Sequence, residues 1–400
     1  MQISTKIKNI RTSGTVKMAQ LARELKQKGK DVIELSEGEP DFNTPKFIID
    51  AAFKAAHNGH TKYTDVRGTL ELREAISKKF HQDNKIYYSS EEIIVGTGAK
   101  QIIFNALVST LNSNDEVIIP SPYWVSYPDM VKIAGGIPII VSCSKEDHYK
   151  ITPEKLSKAI NKNTRWLILN SPGNPTGAIY SSNDLLSLAE ILRHHKNVSI
   201  ICDDIYEVIT YENKSFTNIL EVAPELKDRV LTVNGVSKSH AMTGWRIGYA
   251  GGPLDLIRAM TKLQGQSTTN PSSVGQAAAL AALNGSKDII KEWNIVYTKR
   301  KNLVQEKLSK INNLTFVNPE GAFYFFINCT GLIGKSTFSG LILKSDIDIC
   351  MYLLEHAQIA LVPGSEFGMP NYLRLCFAKS DKILVEACKR IEKSIYALNT

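Results

Sequence analysis

The chain has 400 residues, 43% of them hydrophobic and 22% charged, which is the composition of a soluble globular protein with room for two domains. It has no run of 18 apolar residues and no apolar stretch near its first residue, so we expect neither a membrane span nor a secretory signal, and a cytoplasmic location. The net charge of +8 comes from basic residues interleaved with acidic ones, which favours steering of anionic substrates over nucleic-acid binding.

The first predicted element is a helix over 15–28 that ends at Gly29. From about residue 90 to 265, apolar runs rich in Ile and Val alternate with helical patterns. Such apolar strands separated by helices indicate an α/β fold, with a largely parallel sheet covered on both faces. The predicted strands are 93–96, 116–120, 137–143, 166–170, 198–202, 230–234 and 247–251, and the helices between them are 100–111, 124–134, 153–161 and 183–195.

After residue 290 the pattern changes to that of a smaller α+β domain. It comprises a long helix over 288–310, extended segments at 315–318 and 322–328, a helix at 347–356 and a strand at 372–377. We therefore expect a large domain over 45–287 and a small domain over 288–400. Residues 1–44 are predicted to join the small domain or to reach a neighbouring subunit as an arm.

The cysteines and histidines give no sign of a disulfide framework or of a metal site. Six cysteines are scattered without C-x-x-C spacing, so we interpret them as reduced and mostly buried. The pair His194-His195 lies in a polar run at a predicted helix end, where exposure or pairing with the helix dipole explains it better than metal binding.

Residues with useful chemistry follow several of the predicted strands, at 96–101, 170–177, 203–206 and 237–238. Because ligands bind at the carboxyl ends of the strands in such sheets, this placement predicts one shared site. The turn from Gly96 to Lys100 has small residues that let backbone N–H groups approach a phosphate. A tight strand-to-helix turn without a ligand explains that segment equally well.

Two of these segments carry polar side chains suited to an aromatic cofactor ring. The prolines and glycines of 170–177 make a rigid loop that could fix Asn174 as a donor to a cofactor oxygen. Asp203 and Asp204 end an apolar strand, where a carboxylate needs a cation such as a protonated pyridine nitrogen, and Tyr206 could reach a ring oxygen. Spacing alone does not decide between the two aspartates, and helix capping is the alternative role for either.

The most informative segment is Ser237-Lys238, with Arg246 eight positions after the lysine and Gly244 between them. An amine can condense with an aldehyde, while Ser237 and Arg246 can hold a phosphate. The cofactor that carries both groups is pyridoxal 5′-phosphate (PLP). Most lysines are simply solvated charges, so this prediction depends on the other segments as well.

Two further residues have a structural and a functional interpretation. Trp124 follows a strand end, where an aromatic wedge in the core is the simpler explanation. Arg374 lies among apolar neighbours on a predicted strand, where it could pair with a structural carboxylate or hold a substrate carboxylate in a bidentate fork.

In combination these segments resemble the fold-type I PLP-dependent aminotransferases, in particular the prokaryotic-type aspartate aminotransferases. The resemblance covers nearly the whole chain. It departs from the usual pattern at Gly235, where relatives carry a hydroxyl residue, and at Asp204, where they carry Glu. The matching motifs are Ser13-Gly14-Thr15, 38–42, 62–64, 98–101, 122–128, 174–177, 203–206, Ser237-Lys238, 244–249, 321–324 and Leu373-Arg374-Leu375.

The resemblance implies a role for each matched residue, position by position. Lys238 forms the Schiff base with PLP, Asp203 binds the pyridinium nitrogen, and Tyr206 and Asn174 bind the phenolic oxygen. Trp124 stacks on the ring. The phosphate is held by Gly98, Ala99, Ser237 and Arg246, joined by Tyr63 from the partner subunit of a homodimer. Arg374 and Gly38 take the substrate α-carboxylate, Thr15 and Lys100 contact the side-chain carboxylate, and the substrate site also includes Trp124 and Asn174.

The activity implied is ping-pong transamination, from L-aspartate and 2-oxoglutarate to oxaloacetate and L-glutamate. The alternative in the same family is an aminotransferase for prephenate or for aromatic amino acids, and a PLP-dependent lyase is a more distant one. A ligand-sensing domain of a transcription regulator is a different class of protein. About 30 residues precede the motif at Gly38, too few for a DNA-binding module.

Overall fold

The computed structural model describes residues 1–8, 10, 14–212 and 214–399. Ser13, part of one matching motif, lies outside the described residues. A seven-stranded sheet forms the centre of the larger part of the structure, which covers residues 46–284. Its strands are β2 (Ile93–Gly96), β3 (Glu116–Ser121), β4 (Ile137–Ser142), β5 (Thr164–Asn170), β6 (Ser199–Asp203), β7 (Val230–Gly235) and β8 (Gly248–Gly251), after the short β1 (Ile33–Glu34).

The order across the sheet is β2-β8-β7-β6-β5-β3-β4. The pairs that join β3 to β7 are parallel, whereas β8 runs antiparallel to both β2 and β7. The predicted α/β fold with a largely parallel sheet is therefore confirmed. The seven predicted strands also agree with the structure to within a few residues.

Helices cover both faces of this sheet, as near-continuous apolar strands require. Successive residues of β6 show the two faces, because Ile200 belongs to one apolar core and Ile201 to the other. The helices of this part are α3 (Lys46–His57), α4 (Leu70–Asn84), α5 (Ala99–Thr110), α6 (Tyr127–Ala134), α7 (Pro153–Ala159), α8 (Ser182–Arg193), α9 (Ile219–Val222), α10 (Val236–Ser239), α11 (Leu254–Gly265) and α12 (Ser273–Asn284). They follow α1 (Thr5–Lys8) and α2 (Gly14–Gln27).

Local sequence explains where two of these helices begin. Thr152 caps α7 by accepting a hydrogen bond from the backbone N–H of Lys155, with Pro153 in the first turn. The helix predicted from residue 124 instead begins at Tyr127, with Pro128 in its first turn. Because the fixed φ of proline suits a first turn, the preceding residues, Trp124 included, stay in a loop at the sheet edge.

A third apolar core is formed mainly by the last third of the chain. It packs around an antiparallel sheet of order β12-β13-β10-β9, beside the parallel pair β1-β11. The strands are β9 (Thr315–Phe316), β10 (Tyr324–Asn328), β11 (Ile359–Ala360), β12 (Val362–Pro363) and β13 (Tyr372–Cys376), and the helices are α13 (Asp288–Leu308), α14 (Asp346–Tyr352) and α15 (Asp381–Tyr396). Within the described ranges, no helix is both long and apolar enough to span a membrane.

A buried ion pair connects α4 to the segment that follows β6. The Lys79 ammonium donates to a carboxylate oxygen of Glu207, and both residues are buried. Asn84 completes the group, since its Oδ1 accepts from Lys79 at 2.8 Å and its Nδ2 donates to Glu207 at 2.8 Å. Glu207 follows the predicted site residues Asp203 and Tyr206, so this cluster connects α4 to the segment that carries them.

We expect Lys79→Met to lower the free energy of unfolding by about 3–5 kcal/mol, because it leaves the Glu207 carboxylate buried without its cation. The measurement is the midpoint of urea unfolding followed by circular dichroism. The matched control is Lys46→Met, which removes an exposed ion pair with Asp50 and should change stability by less than about 0.5 kcal/mol. Equal midpoints for the two variants would contradict the structural importance of the buried pair.

Candidate active site

A cavity of about 260 Å³ lies at the carboxyl ends of strands of the seven-stranded sheet, next to the four-stranded C-terminal sheet. Most of the predicted site residues line it. They are Thr15, Gly38, Ala99, Lys100, Trp124, Asn174, Asp203, Tyr206, Ser237, Lys238, Arg246 and Arg374. The predicted convergence of the strand-end segments on one site is thus observed.

Lys238 enters this cavity from the single turn of α10, which follows the end of β7. Its Nζ donates to the carbonyl oxygen of Gly38 at 2.6 Å and lies 6.0 Å from the ring centroid of Tyr206. Burial lowers the pKa of the amine from 10.5 to about 8. The amine therefore loses its proton much more readily than an exposed lysine does, as a nucleophile or base must.

Asp203 is the last residue of β6, and its two carboxylate oxygens have different surroundings. Oδ2 accepts a hydrogen bond from the Tyr127 hydroxyl at 2.6 Å. Oδ1 is buried and has no partner among the described residues. Burial raises the pKa of Asp203 to about 6, against the hydrogen bonds from Tyr127 and Ile205. An open, buried carboxylate oxygen suits a cationic ligand group such as a protonated ring nitrogen.

The spacing in the sequence did not decide which of the two aspartates faces a ligand, and the structure distinguishes them. Asp204 does not line the cavity, and its Oδ2 instead accepts a hydrogen bond from Asn218 at 2.5 Å. Burial, reinforced by the charge of Glu207, raises the pKa of Asp204 well above its usual value. Asp203 is therefore the aspartate that a ligand in this cavity can reach.

Tyr206 and Asn174 are both held by contacts with residues of the C-terminal sheet. The Tyr206 hydroxyl is 2.7 Å from the hydroxyl of Tyr324, and both residues are buried. The Asn174 Oδ1 accepts from Arg374 at 3.0 Å, which orients the amide so that its N–H₂ group is the remaining donor. These contacts connect the predicted ring-binding residues to the predicted carboxylate-binding residue.

Tyr324 is a site residue that the sequence reasoning did not select. It lines the cavity, and a Cβ atom added at Gly38 would lie 2.1 Å from its hydroxyl. Gly38 is therefore required for the backbone to pass this close to the tyrosine. The motif over 321–324 was the available signal, but it pointed to the family and not to a role.

The predicted phosphate cradle is assembled from three segments. Gly98, with φ +83°, precedes the first turn of α5, and a Cβ there would lie 2.4 Å from Nη2 of Arg246. Ser237 faces the same part of the cavity, and Arg246 Nη1 donates to the carbonyl oxygen of Thr243 at 2.8 Å. A helix N-terminus, a guanidinium and a hydroxyl together make a site for a dianion.

Two more cationic side chains line the cavity. The Lys100 Nζ lies 4.9 Å from the ring centroid of Trp124, and partial burial with the charge of Arg246 lowers its pKa. Arg374 is buried on β13, where it donates to Asn174 and to the carbonyl oxygen of Ser36. Its Nε has no partner, and within the described part of the chain no carboxylate pairs with it. Such a cation is open to a carboxylate of a ligand.

Thr15 and Tyr63 differ in how the single chain places them. Thr15 lines the cavity, and its Oγ1 is buried without a partner among the described residues. Tyr63 is 88% exposed and does not line the cavity. Its role was predicted across a subunit boundary, so that role stays a prediction.

Comparison with known proteins identifies the family. The family model described as aminotransferase class I and II matches residues 30–391. A probable aspartate/prephenate aminotransferase of Rickettsia bellii is 48% identical over 396 residues, which is 99% of either chain. The chain belongs to the class I and II aminotransferases. An aspartate aminotransferase of Rhizobium meliloti is 49% identical over 390 residues, covering 98% of this aminotransferase and 95% of the relative.

Solved structures agree with this assignment. The crystal structure of the aspartate aminotransferase from Rhizobium meliloti matches with a TM-score of 0.97 at 48% identity, over 100% of both chains. The aspartate aminotransferase from Thermus thermophilus with maleate matches with a TM-score of 0.92 at 37% identity, over 98% of this aminotransferase and 100% of the other chain. The predicted fold and family are therefore confirmed.

Enzymes of this family depend on PLP, so the predicted cofactor is confirmed at the level of the family. The residues of this cavity also fit it. The open Oδ1 of Asp203 suits the ring nitrogen, and the cradle of α5, Ser237 and Arg246 suits the phosphate. The amine of Lys238 lies in the same cavity, where an aldehyde can meet it.

The pKa of Lys238 predicts how its reactivity depends on pH in the cofactor-free protein. An amine reacts with formaldehyde in its neutral form, which becomes the major form as the pH rises through about 8. Reductive methylation of Lys238, followed by peptide mass spectrometry, should therefore reach half of its maximal rate near pH 8 and level off above it. The rate for a lysine whose pKa is not lowered still rises towards pH 10. The same continuing rise at Lys238 would contradict the lowered pKa.

Proposed function

We propose that this aminotransferase transfers the amino group of L-aspartate to 2-oxoglutarate, giving oxaloacetate and L-glutamate in a ping-pong cycle. The observation that carries the proposal is the meeting of Lys238, Asp203 and Arg374 in one cavity, with Lys100 as a further cation. The relatives named above as aspartate aminotransferases support the choice of substrate.

The cofactor-binding roles follow the geometry. Lys238 holds the aldehyde end, Asp203 the ring nitrogen, and Tyr206 and Asn174 the phenolic oxygen, while Trp124 covers the ring. The phosphate binds at Gly98, Ala99, Ser237 and Arg246. When bound, PLP supplies the aldehyde that accepts the amino group and the ring that draws electrons from the substrate Cα.

The substrate-binding roles use the remaining cations. Arg374 has two contacts that orient it and an Nε without a partner, so it can take the α-carboxylate beside Gly38. Lys100 and the buried hydroxyl of Thr15 are placed to take the second carboxylate of aspartate or glutamate. A dicarboxylate therefore satisfies groups that a neutral amino acid leaves open.

Lys238 is also the proton carrier. Burial lowers the pKa of its amine from 10.5 to about 8 in the ligand-free protein, so Nζ can act as a base once it is free of the cofactor. It takes the proton from the substrate Cα and gives the proton back later in the same half-reaction. Asp203 keeps its negative charge opposite the ring nitrogen, which stabilises the charge that develops during this step.

Prephenate is a second candidate acceptor, because the relative from Rickettsia bellii is named an aspartate/prephenate aminotransferase. The cavity offers an observation in its favour. Ile103 and Val125 line it together with Lys100 and Trp124, so a substrate with a carboxylate and a ring finds both a cation and apolar surface.

We further propose a homodimer in which Tyr63 of each subunit reaches the partner's phosphate site. Tyr63 is highly exposed in the single chain, as are the large apolar side chains of Phe47 and Phe53. Such exposure is typical of surfaces that a partner covers. A cytoplasmic location is also proposed, because all six cysteines are free and buried, as in a reducing compartment.

The division into domains at residues 44 and 287 is proposed as well. Met18, Ala22 and Leu35 belong to the same apolar core as the strands of the C-terminal sheet. This packing supports assigning residues 1–44 partly to the small domain. The cavity then lies between the two domains, where binding sites commonly occur.

We expect Lys238→Ala to retain PLP but to lower turnover with aspartate by about 10⁴-fold, because one side chain supplies both nucleophile and proton carrier. The measurement combines a PLP titration with single-turnover absorbance after addition of aspartate. Lys145→Ala, at an exposed site, is the control for handling and should match the wild type. Near-normal turnover of Lys238→Ala would reject the assignment of the active site.

The substrate assignment is tested by adding amino acids singly to the PLP-loaded enzyme and following the long-wavelength absorbance of the bound cofactor. Aspartate and glutamate should remove that absorbance and alanine should not. Lys100→Met should raise the KM for aspartate about 10-fold or more while leaving a neutral amino acid unaffected, because only the second carboxylate loses its partner. Arg374→Lys should weaken the binding of every amino acid substrate, because the α-carboxylate that they all share loses its bidentate partner.

These two variants serve as controls for each other. If Lys100→Met weakened the binding of neutral and acidic amino acids equally, Lys100 would not bind the side-chain carboxylate. Removal of the absorbance by arogenate, the amino product of prephenate, at a rate equal to or above that with aspartate would favour the second candidate.

A further inference from the structure

A tyrosine outside the cavity is bonded to the aspartate that faces the cofactor ring. Tyr127 is the first residue of α6 and is 2% exposed. Its hydroxyl donates to Oδ2 of Asp203 at 2.6 Å, while Oδ1 has no partner among the described residues. Because Tyr127 does not line the cavity, it does not touch a ligand there and acts only through Asp203.

The position of Tyr127 is fixed by the loop that precedes it. Its backbone N–H donates to the carbonyl oxygen of Trp124 at 3.0 Å. The rings of these two residues also meet edge to face, with centroids 5.3 Å apart and planes at 83°. The residue that covers the ring and the residue that holds Asp203 thus belong to one rigid unit, so the carboxylate has a defined orientation relative to Trp124.

The charges around Asp203 come from three elements. Lys238 faces it from α10, Asp204 and Tyr206 lie on the segment after β6, and Tyr127 lies on α6. Burial, together with the nearby Asp203, raises the pKa of Tyr127 well above that of an exposed tyrosine. Tyr127 is therefore a neutral donor at every pH at which the enzyme works, and its one proton is committed to Asp203.

We propose that Tyr127 is a positioning residue for the cofactor's ring nitrogen. Its hydroxyl satisfies Oδ2 of Asp203, which keeps the carboxylate ionised and turns Oδ1 towards the nitrogen. The inference rests on the proposed function, since it assumes that Asp203 faces that nitrogen. It assigns a role beside the ring nitrogen to a residue that does not line the cavity.

Loss of the hydroxyl has a defined chemical consequence. In Tyr127→Phe the buried Oδ2 has no donor, so Asp203 takes up a proton more readily and is a weaker counter-charge. The proton that the ring nitrogen and Asp203 share then moves from the nitrogen towards Oδ1 of Asp203. A residue that merely filled space below Trp124 would leave the protonation of the nitrogen unchanged, because phenylalanine keeps the ring and its packing.

The experiment uses holoenzyme reconstituted with PLP labelled with ¹⁵N in the ring, and follows the nitrogen's NMR shift as the pH is raised. We expect the ¹⁵N shift in Tyr127→Phe to lie closer to that of an unprotonated ring nitrogen than in the wild type at the same pH, because the shared proton moves towards Asp203. The PLP dissociation constant should rise in the same variant. Tyr88→Phe is the matched control, because it removes another buried tyrosine hydroxyl, whose hydrogen-bond partner is Thr232 at 3.1 Å and not Asp203.

Asp203→Asn separates the inference from the proposed function. If this variant left the nitrogen signal at its wild-type position, the assignment of Asp203 would be wrong. If Asp203→Asn moved the signal and Tyr127→Phe titrated like the wild type, the role of Tyr127 would be overturned. Tyr127→Met also removes the hydroxyl and gives the same reading if the phenylalanine variant does not fold.

Discussion

The site depends on an imbalance of charge inside one cavity. Lys100, Lys238, Arg246 and Arg374 line it, against the single carboxylate of Asp203. Arg374 has no carboxylate partner in the described part of the chain, and Oδ1 of Asp203 has no donor there. Buried polar groups without partners cost stability, so the fold holds them in place for ligands that complete them. In the proposed function, a phosphate and one or two carboxylates would supply the missing negative charge, and a ring nitrogen would supply the missing proton.

The sheet explains how residues far apart in sequence reach this cavity. Parallel strands end at the same edge, which brings the segments after β5 and β6 together. The antiparallel β8 returns between β2 and β7, and this places Gly248 so close to α5 that a Cβ there would lie 2.1 Å from the backbone nitrogen of Ala99. The phosphate cradle is therefore a consequence of strand order as much as of its own residues. Helix α10 begins where β7 ends, so Lys238 is delivered to the same edge.

The sequence predicted the sheet well because its strands are nearly continuous apolar runs, a signal that needs no knowledge of neighbours. It did not delimit α11 and α12, whose patterns lie beyond the strands, or the two-residue strands β11 and β12, which are defined by their partners. The site residues show the same difference between features set by local sequence and features set by contacts with distant residues. Spacing could not separate Asp203 from Asp204, because the distinction is made by Tyr127 and Asn218. Tyr127 precedes its partner by 76 residues, and no local pattern reports that contact.

Asn174 connects the residues proposed to bind the cofactor ring with the residue proposed to bind the substrate α-carboxylate. Its Oδ1 is committed to Arg374 on the small sheet, so its N–H₂ group is directed by the position of the residue proposed to bind the α-carboxylate. Tyr206 is likewise bonded to Tyr324 of the small sheet. The two side chains proposed to bind the phenolic oxygen are thus both oriented by residues of the C-terminal sheet, whereas Asp203 is oriented by Tyr127 on α6. In the proposed function, substrate binding at Arg374 would therefore act on the oxygen side of the ring, while Tyr127 would hold the Asp203 carboxylate in place on the nitrogen side.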